Sequence, residues 1–352
     1  MKLFEPYTLG GLELPNRVVM APMTRNRSVG QVASPWAVEH YSARASAGLL
    51  LSEATQVSPR GQGAADTPGL HTAEQAAAWR LVTEAVHAAG GRIAVQLSHA
   101  GRLTHSDYHG QPPVAPSAVV PTGFVRTPRG TKAYETPWVP TTAEVSGLVD
   151  EFGVAARWAA QAGFDGVELH GAHGFLIDQF VQSGTNRRTD RYGGDARSRR
   201  TFALEVLEAV TAHWPRERVG FTVSPGGNHK GIVDEDPVGT FTALAAALSD
   251  AGLGWLHVAD LPLGDLRPSE LLRPVFAGSL MVSEGYTLGT AEEALQAGAA
   301  DLVAFGRAFT ANPDLVEKFR LGLPLDREDA KTFYAGGRAG YVDAVGPFKE
   351  AP

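Results

Sequence analysis

The stretch Gly166-Val167-Glu168-Leu169-His170-Gly171-Ala172-His173-Gly174-Phe175-Leu176-Ile177-Asp178-Gln179-Phe180 reads as a short apolar strand that stops on a histidine. A second imidazole, His173, follows three residues later on the exit turn. A strand that carries polar side chains at its C-terminal end is how a parallel α/β barrel presents a reactive site. The sequence on either side bears on that reading.

Eight apolar runs recur, at residues 18–23, 49–55, 93–97, 166–170, 219–224, 255–259, 280–284 and 302–305. Short continuous runs of this kind suit strands buried on both faces. Helical patterns lie between them. Ser34-Pro35 looks like an N-cap with proline at the first helical position, opening a helix to Ala47. Residues 71–89 and 142–162 are Ala-rich and amphipathic, with Gly90-Gly91 and Gly163 as stop signals. Thr141-Thr142-Ala143-Glu144 has capping chemistry. Residues 197–214, 236–251, 269–276, 290–297 and 314–321 complete the set.

Strand–helix alternation repeated eight times predicts an α/β protein, a (β/α)8 TIM barrel forming a single domain over 1–352. A doubly wound open sheet is the weaker reading, because no GxGxxG follows the first strand. Residues 3–14, around Gly10-Gly11, predict a β-hairpin ahead of the barrel. One connection is long: Ser98 to Thr141, rich in Pro, Gly and Thr, predicts a lid or pocket wall after strand 3. The aromatic, Gly-rich tail from Lys331 is expected to fold back over the barrel.

Composition narrows the function. The chain has 352 residues, 43% hydrophobic and 20% charged, enough to bury a core without staples. It has no cysteine, which removes disulfides, iron–sulfur clusters, zinc knuckles and a thiol nucleophile. A net charge of −7 lacks the basic footprint of a nucleic-acid binder. With no signal-like start and no long apolar run, the expectation is a cytoplasmic protein without a membrane partner.

Reading the strand ends in turn yields Ala21-Pro22-Met23-Thr24-Arg25, Ser52-Glu53-Ala54-Thr55, Gln96-Leu97-Ser98-His99, His170 with His173, Thr222-Val223-Ser224, Ser283-Glu284-Gly285 and Phe305-Gly306-Arg307. Amides, hydroxyls and imidazoles outnumber carboxylates. That disfavours a glycosidase carboxylate pair and a magnesium site. His170-x-x-His173 raises zinc, but three or four convergent ligands would be needed, and strand 1 offers only Thr24. Gly285 and Gly306-Arg307 end strands 7 and 8, the usual barrel phosphate site. Gln96 can present donor and acceptor to an imide edge, and the imidazoles can hold a substrate oxygen.

These motifs, together with Glu168-Leu169-His170-Gly171-Ala172-His173-Gly174 and Asn186-Arg187-Arg188-Thr189-Asp190-Arg191-Tyr192-Gly193-Gly194, resemble the Old Yellow Enzyme family of FMN-dependent ene-reductases. The resemblance runs in order along nearly the whole chain. It implies noncovalent FMN at the barrel mouth, reduced by NADPH or NADH, and hydride transfer to the β-carbon of a small activated alkene such as an enone, enal, maleimide or nitroalkene. By the same resemblance Thr24 bonds the flavin O4, and Pro22 and Met23 before it also contact the cofactor. Ala54 and Gln96 contact the pyrimidine edge. His170 and His173 are catalytic: they bind the substrate oxygen and polarise the alkene. Gly285, Gly306 and Arg307 hold the phosphate, and Tyr341 lines the substrate pocket. A monomer or homodimer is implied.

Two positions depart from the family pattern. Phe175 stands where relatives carry a tyrosine that protonates the α-carbon, which leaves the proton to water or to another side chain such as Tyr341 or Tyr334. Thr222 stands where relatives carry an arginine near the flavin N1–O2 edge. A neutral hydroxyl supports an anionic reduced flavin less than a guanidinium. A lower potential and weaker FMN retention follow, unless Lys230 compensates. A flavin-binding barrel with little turnover, acting as a sensing module, is the competing reading.

Overall fold

A computed structural model describes residues 1–335 and 337–343. Its strands are, in order, β1 (Tyr7–Leu9), β2 (Leu12–Leu14), β3 (Val18–Met20), β4 (Leu49–Leu51), β5 (Thr55–Gln56), β6 (Ile93–Ser98), β7 (Phe124–Thr127), β8 (Gly130–Ala133), β9 (Gly166–His170), β10 (Val219–Val223), β11 (Trp255–Ala259), β12 (Ser279–Ser283) and β13 (Leu302–Phe305). Eight of them pair in parallel in the order β3-β4-β6-β9-β10-β11-β12-β13, and β13 returns to β3. The sheet closes, so this is the expected (β/α)8 barrel and not an open doubly wound sheet.

The first two strands are shorter than the apolar runs that predict them. Ala21 still donates to the Phe305 carbonyl, but Pro22 has no N–H to continue the ladder. The second run divides into β4 and the short β5, which pairs with the far end of β6.

Helices cover the outside. Ala73–Ala88 and Thr142–Gln161 open on complete capping boxes, Thr72 with Gln75 and Thr141 with Glu144. The helix after Ser34 is shorter than expected, Pro35–Ser42, and the Ser34 side chain makes no cap bond. The run at 197–214 divides into Ala196–Arg199, capped by Asp195, and Thr201–Thr211. No helix among the described residues is long and apolar enough to cross a membrane.

The predicted hairpin is β1–β2. Its Leu9, Leu12 and Leu14 pack with Val19, Leu51, Trp255 and Met281 from the barrel strands, closing one end of the interior. Above that plug the lumen turns polar. Trp255 fits there because position 220 is glycine: a Cβ on Gly220 would come within 1.9 Å of its indole. The functional face is therefore the opposite end, where the strands finish.

The long connection after β6 is not a bare loop. It contains a short helix, Ser106–His109, and the hairpin β7–β8. The Asp107 carboxylate accepts from Thr127 Oγ1 at 2.8 Å and pairs with Lys132 at 2.6 Å, tying helix to hairpin. The tail also packs back: Arg25 Nε donates to the Phe333 carbonyl, and Arg27 to those of Thr332, Gly337 and Ala339. The part of the expected domain and tail at 344–352 lies outside the described residues.

Candidate active site at the barrel mouth

Inside the lumen, directly below the strand ends, sits a carboxylate. Glu168 is fully buried. It accepts from Gln96 Nε2 at 2.9 Å, Thr222 Oγ1 at 2.7 Å and Trp255 Nε1 at 2.9 Å, and His257 Nδ1 lies 3.2 Å away. Burial alone would push this carboxyl up. The His257 imidazole, with the hydrogen bonds from His257, Trp255 and Thr222, outweighs burial and holds it at about 2. Gln96 must turn its amide nitrogen to Glu168, so its carbonyl oxygen is what remains for a ligand. Thr222 is likewise turned to Glu168. Lys230 lines the cavity described below.

One step up β9, on the same face of the strand, is His170. It is 6% exposed, and its buried Nδ1 has no hydrogen-bond partner among the described residues. Burial, then the neighbouring His173 imidazole, lowers it to about 3, so it is neutral in ordinary buffers. Its ring lies 4.3 Å from that of Phe175 and 5.7 Å from that of His173. His173 has φ +54, and its N–H donates to Ser224 Oγ at 2.8 Å. Its Nε2 faces Glu284 Oε1 at 3.7 Å. Glu284 (φ +77) and Lys230 (φ +54) are also left-handed without being glycine. Strained backbone of this kind gathers at functional sites. Among the described residues, no third ligand joins the two histidines in a metal-holding group.

Beside Phe175 lies a cavity of about 180 Å³, lined among others by Thr24, Ala54, Ser98, Tyr134, His229 and Lys230. Two larger concavities lie elsewhere, one around Tyr7 and Asp301 and one between Pro116 and Arg187, and neither includes a predicted site residue. Thr24 and Ala54 therefore meet at one place with Phe175, as the strand-end reading requires. Tyr341 does not join them. It is 1% exposed, its ring is stacked on His40 at 3.9 Å, and the Arg25 and Arg27 guanidiniums lie 5.3 and 5.1 Å from its centroid. The ring is thus enclosed by His40 and the two arginines, and the expected pocket-lining role finds no support in the walls of this cavity. Tyr334 is 54% exposed.

On the other side of the mouth, Gly285 has φ +78 with open space where a side chain would point. Gly306 precedes a short helix, Arg307–Ala311, and Arg307 is exposed. Pro22 and Met23 are half-buried on the exit from β3.

Tyr134, His229 and Ser98 were not singled out as site residues by the sequence. Tyr134 reaches the cavity from the end of β8, His229 and Lys230 from the loop after β10. Arg102 and Thr122 hold that loop by donating to the Lys230 carbonyl at 3.3 and 3.1 Å. Only the long connection's Pro- and Gly-rich composition hinted at such a wall.

Comparison with known proteins decides what this mouth belongs to. A model of the NADH:flavin oxidoreductase / NADH oxidase family matches residues 2–326. This chain belongs to that family. The flavin oxidoreductase is 39% identical to 12-oxophytodienoate reductase 2 of Arabidopsis thaliana, over 97% of this chain and 94% of that one. It is similarly 39% identical to putative 12-oxophytodienoate reductase 11 of Oryza sativa subsp. japonica, over 97% and 96%. Among solved structures, morphinone reductase in complex with tetrahydroNAD superposes with a TM-score of 0.93 at 44% identity, covering 98% of this chain and 97% of that one. The old yellow enzyme homologue from Zymomonas mobilis gives 0.96 at 39%, covering 98% and 99%.

The protein is thus an Old Yellow Enzyme family member and an FMN-dependent oxidoreductase with NADH or NADPH as reductant. The residues at the mouth fit the cofactor. The buried His170 Nδ1, without a partner among the described residues, calls for a ligand there, and the Gly285 turn leaves open space where a side chain would point.

Proposed function

We propose that this flavin oxidoreductase reduces the C=C bond of small activated alkenes: enones, enals, maleimides or nitroalkenes. The observation that carries this is His170, a buried neutral imidazole with an unpartnered nitrogen, beside the cavity edged by Thr24, Ala54 and Phe175. A neutral imidazole can donate one hydrogen bond to a carbonyl or nitro oxygen without bringing a charge. The relatives named as 12-oxophytodienoate and morphinone reductases support a reductase reading.

FMN, when bound, supplies the hydride that reaches the β-carbon. The protein's own contributions are position and electrostatics. His170 and His173 bind the substrate oxygen. Thr24, with Pro22 and Met23, and Ala54 and the Gln96 carbonyl face the ring. Gly285, Gly306 and Arg307 hold the phosphate. Thr222 meets the N1–O2 edge with a hydroxyl already committed to Glu168. Tyr341 belongs to the cage that fixes Arg25, one residue past Thr24.

Turnover with product analysis tests the proposal. FMN-loaded protein with NADPH and 2-cyclohexenone, without oxygen, forms cyclohexanone in step with NADPH oxidation. NADPH oxidation that needs oxygen and yields no saturated ketone sinks it.

A further inference from the structure

Reduction of an alkene needs a proton at the α-carbon as well as a hydride at the β-carbon. At the cavity, Phe175 has none to give. The chain has eight tyrosines. Tyr7 is bonded to Ser279 and Tyr41 to the Glu53 amide. Tyr108 donates to the Arg126 carbonyl, Tyr192 to Glu205 and Tyr286 to Asp260. Tyr334 is exposed and Tyr341 is caged on His40. Tyr134 alone lines the cavity that Phe175 lines.

We propose that Tyr134 delivers the proton to the α-carbon of the substrate, in place of the residue at position 175. This rests on the alkene-reductase reading above. Its placement is built. Ala133, just before it, pairs with Phe124 in the β7–β8 hairpin. Glu135, just after it, accepts from the Ser106 N–H at 2.6 Å and its hydroxyl at 2.7 Å. Tyr134 stands in the cavity wall, and burial and the charge of Arg102 are what act on its hydroxyl there.

Its surroundings suit a neutral donor. Burial pushes the phenol up, and the charge of Arg102 pulls it partly back, so it stays protonated until it is used. Lys230 Nζ lies over its ring, 5.8 Å from the centroid, on the side from which a cation would support the phenolate that proton loss leaves. The other cavity groups serve less well. The Thr24 and Ser98 hydroxyls are weaker acids than a phenol. Burial lowers His229, which keeps it neutral.

After hydride arrives at the β-carbon, the substrate holds an electron pair spread over its α-carbon and activating oxygen. That pair forms the new C–H bond as the Tyr134 O–H bond breaks. Water then reprotonates the phenolate.

The test is anaerobic stopped-flow on FMN-loaded enzyme, reduced with one equivalent of NADPH and mixed with 2-methylcyclohexenone, whose α-carbon becomes a stereocentre on protonation. Tyr134→Phe is expected to slow flavin reoxidation by about 10²-fold or more, while NADPH reduction and FMN affinity stay within about twofold. The product should also lose its single configuration at the α-carbon, which a merely structural residue would not change. Adding Phe175→Tyr to Tyr134→Phe should restore both rate and configuration. Unchanged reoxidation and configuration in Tyr134→Phe overturn the proposal, as does a slowed step in Tyr341→Phe in its place. Failure of the enone to reoxidise the unmodified enzyme overturns the alkene-reductase reading itself.

Discussion

The Thr222 hydroxyl donates to the Glu168 carboxylate across 2.7 Å in the lumen of the barrel. The bond joins a position where the family resemblance implies a cation to an anion that is buried below the mouth. Here the carboxylate finds its compensation in neutral donors and in His257 instead. The charge beneath the flavin site is consequently more negative than an arginine at 222 would make it.

Thr222→Arg should therefore raise the flavin midpoint potential and tighten FMN binding. The new guanidinium would be paired by Glu168, which offsets the cost of burying it. The expected rise is about 30 mV or more, since for a two-electron couple that corresponds to about 1.4 kcal/mol. Spectroelectrochemistry and FMN fluorescence quenching check it. A variant with unchanged potential and unchanged affinity shows that Thr222 is not what sets either.

Glu168 also makes an acid limb in stability. Its folded value of about 2 lies below its ordinary 4.5. Stabilisation is fully present above the ordinary value and is lost as pH falls toward 2, worth about 3 kcal/mol in total. Glu168→Gln removes it and turns one amide N–H toward a ring of donors. Urea unfolding at pH 7 should show the variant less stable by about 3 kcal/mol, with a flatter acid limb.

Glu53 has the opposite sign. Burial raises it to about 7, against the Arg25 N–H that it accepts from and the charges of Arg25 and Arg27. Its raised value favours the protonated form in the fold, so stability is highest below the ordinary carboxyl value and declines as pH rises through 7. Glu53→Gln keeps the acceptor without the charge. The variant should match the unmodified protein near pH 4.5 and exceed it by about 1–3 kcal/mol at pH 8. Equal stabilities at both pH values would refute this.

The barrel was legible because strands buried on both faces leave continuous apolar runs, and all eight are visible. The meeting of Thr24 and Ala54 at one cavity, with His170 next to Phe175 in its wall, was legible because barrel geometry sends strand ends to one face. The residues missed are of two kinds. Glu168 stands in the most informative stretch of the chain, two residues before His170, but its meaning depends on partners from β6, β10 and β11. Tyr134 and His229 sit on long connections whose path is set by tertiary bonds such as those of Arg102 and Glu135, which leave no periodic trace. The β7–β8 hairpin was hidden for the same reason. Tyr341 lies outside the wall of that cavity, with its ring stacked on His40 and close to Arg25 and Arg27, packing that leaves no mark in the sequence.

His170 is neutral down to about pH 3. It is expected to add no inflection to the rate of alkene reduction above about pH 4. His170→Ala should lower that rate by about 10²-fold, the typical cost of removing one preorganised donor. Stopped-flow pH profiles of both proteins check this. An inflection near neutrality that disappears in the variant contradicts the neutral assignment.

In the proposed function, the reduced flavin passes its hydride to an activated alkene bound at His170 and His173. The most direct measurement is the absorbance near 460 nm of anaerobic FMN-loaded enzyme, first bleached by NADPH and then mixed with 2-cyclohexenone. Colour should return with formation of one equivalent of cyclohexanone, and far more slowly in His170→Ala. Colour that returns only when oxygen is admitted contradicts it.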